Sequence, residues 1–176
     1  MQFYKHAYIL RVIQKLHQYG SWTGKTHVHK ALSLLRDLGK VPVPFEFVLY
    51  KHGPYSFEVE AELEQMRSYG AITMEPNTRG YGVVLKAGEA ASLVEQSASL
   101  SAEVSQAIDQ VCRFVSSRSA AELERLATAS WIRYQERLDD PAEVARRLHF
   151  LKPHVSIVEA ERADADVRSW REGSKE

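Results

Sequence analysis

The chain has 176 residues, 44% of them hydrophobic and 26% charged, and its 23 basic side chains balance 23 acidic ones. This length fits one domain with a sizeable core, and the composition excludes collagen, coiled coils and wholesale disorder. No apolar run approaches the ~18 residues of a membrane span, and a single cysteine excludes a disulfide framework or a cysteine-rich zinc site. We therefore expect a cytoplasmic protein that contacts no membrane. Because the net charge is zero, a nucleic-acid interface would need a local positive field.

Two helices are predicted first. Apolar residues recur at helical spacing up to Gly20, a residue type that commonly ends helices. Thr23 or Thr26 can cap the second helix, which carries another apolar stripe and closes at Gly39. A Val-Pro-Val-Pro sequence then forces extended backbone.

A strand, a helix and a hairpin follow. Residues 45–50 alternate in the manner of a strand, and a Gly-Pro turn comes next. Ser56 is a favourable N-cap for a third helix, and residues 71–74 and 81–85 predict two short strands joined by a turn-rich loop. This order resembles a winged helix-turn-helix, so residues 1–86 are predicted to form a winged-helix core with a small β-hairpin wing.

Residues 87–176 are predicted to form a helical extension that packs on this core within one folding unit. A helix is expected near residues 101–115, and sequences with capping-box spacing open further helices at Ser119, Asp140 and Ser156. The polar tail is expected to fray. The predicted fold class is therefore mainly α.

The third helix is acidic at the position where a DNA-reading helix is usually basic. Its four glutamates spread over the surface left by the apolar stripe, so none is expected to be hidden: Glu58, Glu60, Glu62 and Glu64. DNA phosphates would repel this helix. Three interpretations stay open, namely a solvated helix face, a surface that a basic partner recognises, and a true DNA-reading helix.

The Gly-Pro turn after the predicted strand offers a second candidate surface. Tyr50, His52 and Tyr55 can provide flat amphipathic contact area to a partner. The plainer interpretation is a fold-defining turn whose tyrosines are wedged into the core. Together with Glu58 and Glu62, these three side chains are the predicted partner-binding residues.

Little in the sequence indicates an enzyme, and we predict neither a metal nor a cofactor. His27 and His29 are two residues apart on a helix, so they point about 200° from each other and cannot hold one metal ion together. Cys112 lies on an apolar stripe and is expected to be a small buried hydrophobe. The sequence contains no P-loop, no glycine-rich dinucleotide turn and no nucleophile elbow.

The basic side chains of the first half are scattered along the sequence. Arg79, at the tip of the predicted wing, is the best single candidate for a phosphate contact. Lys25 and Lys30 on the second helix join it in an alternative function, that of a winged-helix DNA-binding transcriptional regulator. A homodimer through the C-terminal helices also stays open.

Several segments share their order and residues with one family of small bacterial proteins. They are residues 30–35, 45–50, Tyr50-x-x-Gly53-Pro54-Tyr55-Ser56, Tyr69-Gly70, 122–128 and 151–154. In these segments the chain resembles the YwgA-like family over about residues 5–170. Similar domains occur in Panacea-type antitoxins and in the C-terminal part of DarG-type antitoxins.

The resemblance implies a non-catalytic module, antitoxin-like or defence-associated, that binds a partner protein directly. The implied partner is a toxin or nuclease encoded nearby, and in the DarG type the domain is associated with occupying a toxin's DNA site. Acidic side chains on a rigid helix can imitate phosphates and attract such a basic partner. The macrodomain that removes ADP-ribose in the DarG arrangement is missing here, so no de-modifying activity is implied.

Overall fold

The computed structural model describes residues 2–173, which form eight helices and two separate two-stranded antiparallel sheets. The predicted mainly α fold class is confirmed. In the described part of the chain, no helix combines the length and the apolar character needed to cross a membrane. In chain order the elements are α1 (Gln2–Gln18), α2 (Lys25–Asp37), β1 (Val48–Tyr50), β2 (Gly53–Tyr55), α3 (Phe57–Ser68), β3 (Ile72–Pro76), β4 (Val83–Ala87), α4 (Ala91–Ser97), α5 (Ala102–Val115), α6 (Ala120–Tyr134), α7 (Pro141–Leu151) and α8 (Ile157–Gly173).

The helices surround one connected hydrophobic core to which both halves of the chain contribute. Helix α1 packs against α4 and α5, and α2 lies against α5 and α6. The last three helices pack on one another. Side chains such as Ile13 of α1, Leu32 of α2 and Ile108 of α5 are completely buried, so apolar burial joins these helices.

Hydrogen-bonding caps begin most of the later helices where the sequence predicts them. Ser56 accepts a hydrogen bond from the Val59 N–H at 3.2 Å, which confirms it as the N-cap of α3. The capping box that opens α6 at Ser119 is complete, because Glu122 bonds back to the Ser119 N–H at 2.7 Å. These caps satisfy N–H groups that a helix start leaves unpaired.

Two local predictions were wrong. Neither Thr23 nor Thr26 caps α2, because Gly24 is the N-cap residue and makes no side-chain bond to the helix. The strand predicted over residues 45–50 is paired only over β1, since the chain folds back after two residues and pairs with β2. The Gly-Pro sequence therefore lies inside a hairpin strand.

The second hairpin, formed by β3 and β4, confirms the predicted pair of short strands with bounds shifted by one or two residues. Its strand β4 is attached to the loop before α2, because the Leu85 N–H donates to the carbonyl oxygen of Thr23 at 2.7 Å. The loop between the strands is exposed at Arg79 and Tyr81. This attachment brings the hairpin close to the first turn of α2.

Candidate functional site

The first hairpin, formed by β1 and β2, packs through β2 against α2 and α6. Tyr50 lies opposite Gly53 in the register, so Lys51 and His52 form a two-residue turn. Gly53 has a φ of +88°, a conformation that glycine adopts without strain. A Cβ at this position would lie 2.7 Å from Oγ1 of Thr128 in α6. Both the backbone conformation and the close approach to α6 therefore require glycine.

Two buried lysines hold the backbone of the first hairpin. The Lys30 ammonium donates a hydrogen bond to the carbonyl oxygen of Pro54 at 2.8 Å. The Lys152 ammonium, which follows α7, donates to the carbonyl oxygen of Lys51 at 2.7 Å. The two lysines are only 3% and 4% exposed. Burial lowers the pKa of Lys30 to about 8, although the charge of Glu124 opposes this shift.

Glu124 of α6 balances the charge of these lysines. Its carboxylate lies 2.7 Å from Nζ of Lys152, 3.5 Å from Nδ1 of His52 and 3.9 Å from Nε2 of His154. Burial pushes the pKa of Glu124 upward, but the hydrogen bond and charge of Lys152 and the charges of the two histidines outweigh it. The pKa consequently lies below its ordinary value. The ionised carboxylate joins the hairpin and the loop after α7 to α6.

Three segments that carry the family resemblance lie in contact around Glu124 and Lys152. Sequence reasoning did not predict this contact. The hairpin turn, the Glu124 and Thr128 turns of α6, and the loop at Lys152 are distant along the chain. Lys152 and Lys51 are separated by 101 residues. The quoted segments were the only signal, because no local pattern relates positions so far apart.

Three rings on the first hairpin and at the start of α3 form an aromatic cluster, which we define as Tyr50, Tyr55 and Phe57. Their ring centroids are 5.8 Å apart for Tyr50 and Tyr55, 5.0 Å for Tyr55 and Phe57, and 5.9 Å for Tyr50 and Phe57. Tyr50 and Phe57 are 51% and 62% exposed, and the neighbouring Val48 is 45% exposed. Sequence reasoning did not single out Phe57. It could have been found as a large apolar residue that directly follows the helix cap and lies outside the apolar stripe of α3.

His29 of α2 supports this cluster. Its ring stacks on Tyr55 with centroids 4.5 Å apart and planes 11° from parallel. Its Nδ1 accepts a hydrogen bond from the Ser56 N–H at 3.4 Å, so the neutral ring donates from Nε2 toward Glu60. Burial lowers the pKa of His29. The pKa of Glu60 falls to about 2, chiefly because His29 donates a hydrogen bond to its carboxylate. Burial alone would raise this pKa, but the hydrogen bond and charge of Lys25 lower it further.

The acidic helix α3 is largely neutralised by cations around it. The expectation that no glutamate is hidden was wrong for Glu62, whose side chain is only 16% exposed. Four carboxylates face three permanent cations and two histidines, so the helix presents much less negative charge than its sequence suggests. The contacts join Glu58 to Lys5 at 3.1 Å, Glu60 to Lys25 and to His29 at 3.4 Å, Glu62 to His6 at 2.7 Å and Lys5 at 3.9 Å, and Glu64 to Arg67 at 3.0 Å and Lys25 at 3.6 Å.

Of the side chains predicted for a nucleic-acid interface, one is buried, one is held in ion pairs and one is exposed. Lys30 is buried under the first hairpin, and its ammonium cannot reach a phosphate in this arrangement. Lys25 is held between Glu60 and Glu64. Arg79 is exposed at the tip of the second hairpin.

The other chemically notable side chains are buried. His27 donates from Nε2 to the carbonyl oxygen of Arg118 at 3.0 Å, and burial lowers its pKa. Cys112 is fully buried, which confirms the predicted small hydrophobe, and burial raises the pKa of its thiol to about 12. Within residues 2–173, no three histidine, cysteine, aspartate or glutamate side chains are placed to share a metal ion.

The chain shows no match to any family model or to any curated protein sequence. The resemblance to the YwgA-like family therefore stays a prediction that rests on the quoted segments. Three of the quoted segments contact one another in the structure, at the hairpin turn, Glu124 and Lys152.

Proposed function

We propose that the chain is a non-catalytic protein-interaction module, antitoxin-like or defence-associated, that binds a partner protein through the aromatic cluster. The observation that carries this proposal is the exposure of Tyr50 and Phe57 on a backbone fixed by two buried lysines. Large aromatic side chains with few rotatable bonds supply contact area at a low entropic cost. Such residues dominate the binding energy of protein interfaces.

The surroundings of the cluster have the composition of an interface. Phe57 and Val48 supply apolar area, the two tyrosines add hydroxyl groups, and His52 contributes a polar edge. The ion pairs along α3 favour a contact centred on the rings. Glu58 and Glu62 are then expected at the edge of the contact.

A basic protein, such as a toxin or nuclease encoded nearby, is the proposed class of partner. Support comes from the family resemblance and from the carboxylates of Glu58 and Glu64, whose side chains stay 40% and 47% exposed although they are paired. Charges of this kind steer association and contribute less to affinity than the buried rings.

Alanine substitutions of Tyr50 and Phe57 test the proposal against the product of the neighbouring gene. Each variant is expected to weaken binding at least about tenfold in calorimetric titration, because aromatic residues at an interface centre contribute about 2 kcal/mol or more. Both side chains are more than half exposed, so the free energy of unfolding should change by less than about 0.5 kcal/mol.

Phe150→Ala is the matched control, since Phe150 is an exposed aromatic residue (74%) at the end of α7. This variant should bind the partner like the unaltered chain. Unchanged affinity in the Tyr50 and Phe57 variants, or an equal loss in the Phe150 variant, would contradict the proposal.

The alternative function is that of a winged-helix DNA-binding regulator. The order of α1, α2 and α3 followed by the second hairpin supports a winged-helix description, and the exposed Arg79 at the hairpin tip favours a phosphate contact. A gel shift with the DNA upstream of the chain's own operon separates the two functions. Binding that falls steeply with salt and weakens in Arg79→Ala would support the regulator.

A further inference from the structure

A groove of about 380 Å³ lies where the first turn of α2 meets the second hairpin. Trp22 and Tyr81 line it together with residues 24–27. We propose that this groove, termed the α2 groove, binds a nucleoside phosphate, with the base against the two aromatic rings and the phosphate at the first turn of α2. It shares no residue with the aromatic cluster and does not depend on the proposed function.

The first turn of α2 supplies hydrogen-bond donors that lack acceptors. Its N-cap residue, Gly24, has no side chain to accept from the N–H groups of residues 25–27. An uncapped helix start carries partial positive charge and binds phosphate groups through these N–H groups. The Trp22 indole lies directly beside them, because a Cβ on Gly24 would come within 2.8 Å of its Nε1. The exposed hydroxyl of Thr26 adds another donor.

A second observation at the groove points independently to a ligand. His27 lines the groove and is 2% exposed, and its Nδ1 has no hydrogen-bond partner in the described chain. Because Nε2 donates to the carbonyl oxygen of Arg118, Nδ1 is an acceptor. A buried acceptor without a donor is unfavourable. A ribose hydroxyl is a donor of the kind this nitrogen lacks, and because the nitrogen is covered in the structure, we expect a small movement of the ring when the nucleotide binds.

The aromatic rings of the groove suit a nucleobase, and its charges suit a phosphate. Tyr81 is fully exposed and Trp22 is 38% exposed, and nucleobases of any sequence stack on rings of this kind. No lining residue in the described part of the chain carries a carboxylate. Lys25 is engaged by Glu60 and Glu64, so the backbone N–H groups are the main phosphate donors. The volume lies within the range of about 300–1,000 Å³ that small-molecule sites occupy.

The test is a nuclear magnetic resonance titration of the nitrogen-15-labelled full chain with each of the four ribonucleoside 5′-monophosphates. The parent nucleosides and inorganic phosphate are titrated for comparison. We expect the amide signals of residues 25–27 and the Trp22 indole signal to shift, with nucleotides binding more tightly than either comparison ligand. Four monophosphates that leave these signals in place would overturn the proposal. Shifts confined to another surface, or phosphate binding as tightly as the nucleotides, would overturn it too.

Two variants separate the base contact from the phosphate contact. Tyr81→Ala should lower nucleotide affinity at least about fivefold and leave the fold unchanged, because the ring is fully exposed. Thr26→Asp should abolish nucleotide binding, since its carboxylate takes the free N–H groups and repels the phosphate while it stabilises the helix start. Thr26→Ser is the control and should keep the affinity. Nucleotide binding that neither Tyr81→Ala nor Thr26→Asp weakens would contradict the assignment.

A free nucleotide and the end of a nucleic-acid strand present the same chemistry. A short single-stranded oligonucleotide with a 5′-phosphate, titrated in parallel, distinguishes them. Tighter binding of the oligonucleotide at the same signals identifies a strand end as the ligand, and equal or weaker binding identifies the free nucleotide. Either result supports the nucleoside phosphate site.

Discussion

At the scale of single residues, Gly53 controls how closely the first hairpin approaches α6. Its φ of +88° disfavours any side chain, and a Cβ would also lie 2.7 Å from Oγ1 of Thr128. Gly53→Ala is expected to lower the free energy of unfolding by about 3 kcal/mol, the sum of about 1–2 kcal/mol for the left-handed backbone and about 1–3 kcal/mol for the displaced neighbours. Urea denaturation followed by circular dichroism measures this loss.

Gly20 offers a matched control for the backbone contribution alone. Its φ is +72°, and a Cβ there would meet nothing within 4 Å. Gly20→Ala should therefore cost only about 1–2 kcal/mol. Equal losses in the two variants would show that the close approach of Gly53 to Thr128 adds nothing to the loss of stability.

At the scale of elements, Glu60 joins α3 to α2 through Lys25 and His29. Its pKa is about 2 in the folded chain, against an ordinary value of 4.5. A carboxyl whose pKa is depressed by folding stabilises the fold above its ordinary pKa, and this stabilisation is lost as the pH falls toward 2. We expect about 1–2 kcal/mol at neutral pH, reduced by solvent screening because the side chain is 31% exposed.

Glu60→Gln removes this contribution and tests it. The variant should be less stable than the unaltered chain at pH 7, and the difference should shrink as the pH falls from about 4.5 to 2. Glu75→Gln is the control, because its side chain is 53% exposed and pairs with Lys86 at the surface. A difference between Glu60→Gln and the unaltered chain that stays constant with pH would refute the expected linkage.

Contacts within an element could be predicted from the sequence, whereas contacts between distant elements could not. Helix starts at Ser56 and Ser119 could be predicted, because the cap and the N–H group that donates to it lie three residues apart. The partners of the α3 glutamates could not, since Glu62 contacts His6 across 56 positions of sequence. Tyr50 was found at the candidate site as an exposed ring in a turn, whereas Lys152 was missed because only folding brings it there.

At the scale of the whole molecule, α8 is tied to the rest by a buried ion pair. Asp164 is completely buried and accepts hydrogen bonds from Nε and Nη2 of Arg133 in α6, the latter at 2.8 Å. Asp164→Asn leaves the Arg133 charge buried without a carboxylate. We expect a loss of about 3–5 kcal/mol in the free energy of unfolding.

The control for this change is Asp166→Asn on the same helix. Asp166 pairs with Arg118 at 2.8 Å but is 45% exposed, so its loss should cost less than about 1 kcal/mol. Circular dichroism and tryptophan fluorescence should report coincident unfolding transitions in both variants, since one core connects the helices. Separate transitions would indicate that α8 and its neighbours unfold on their own.

The hydrogen bond from Lys152 to the carbonyl oxygen of Lys51 has a consequence for biosynthesis. A ribosome finishes the tyrosines of the first hairpin about a hundred codons before it adds this lysine. A nascent chain therefore carries the rings long before it can hold them in their final arrangement. The proposed binding through these rings is therefore expected to begin only after residue 152 has been translated and has docked against the hairpin.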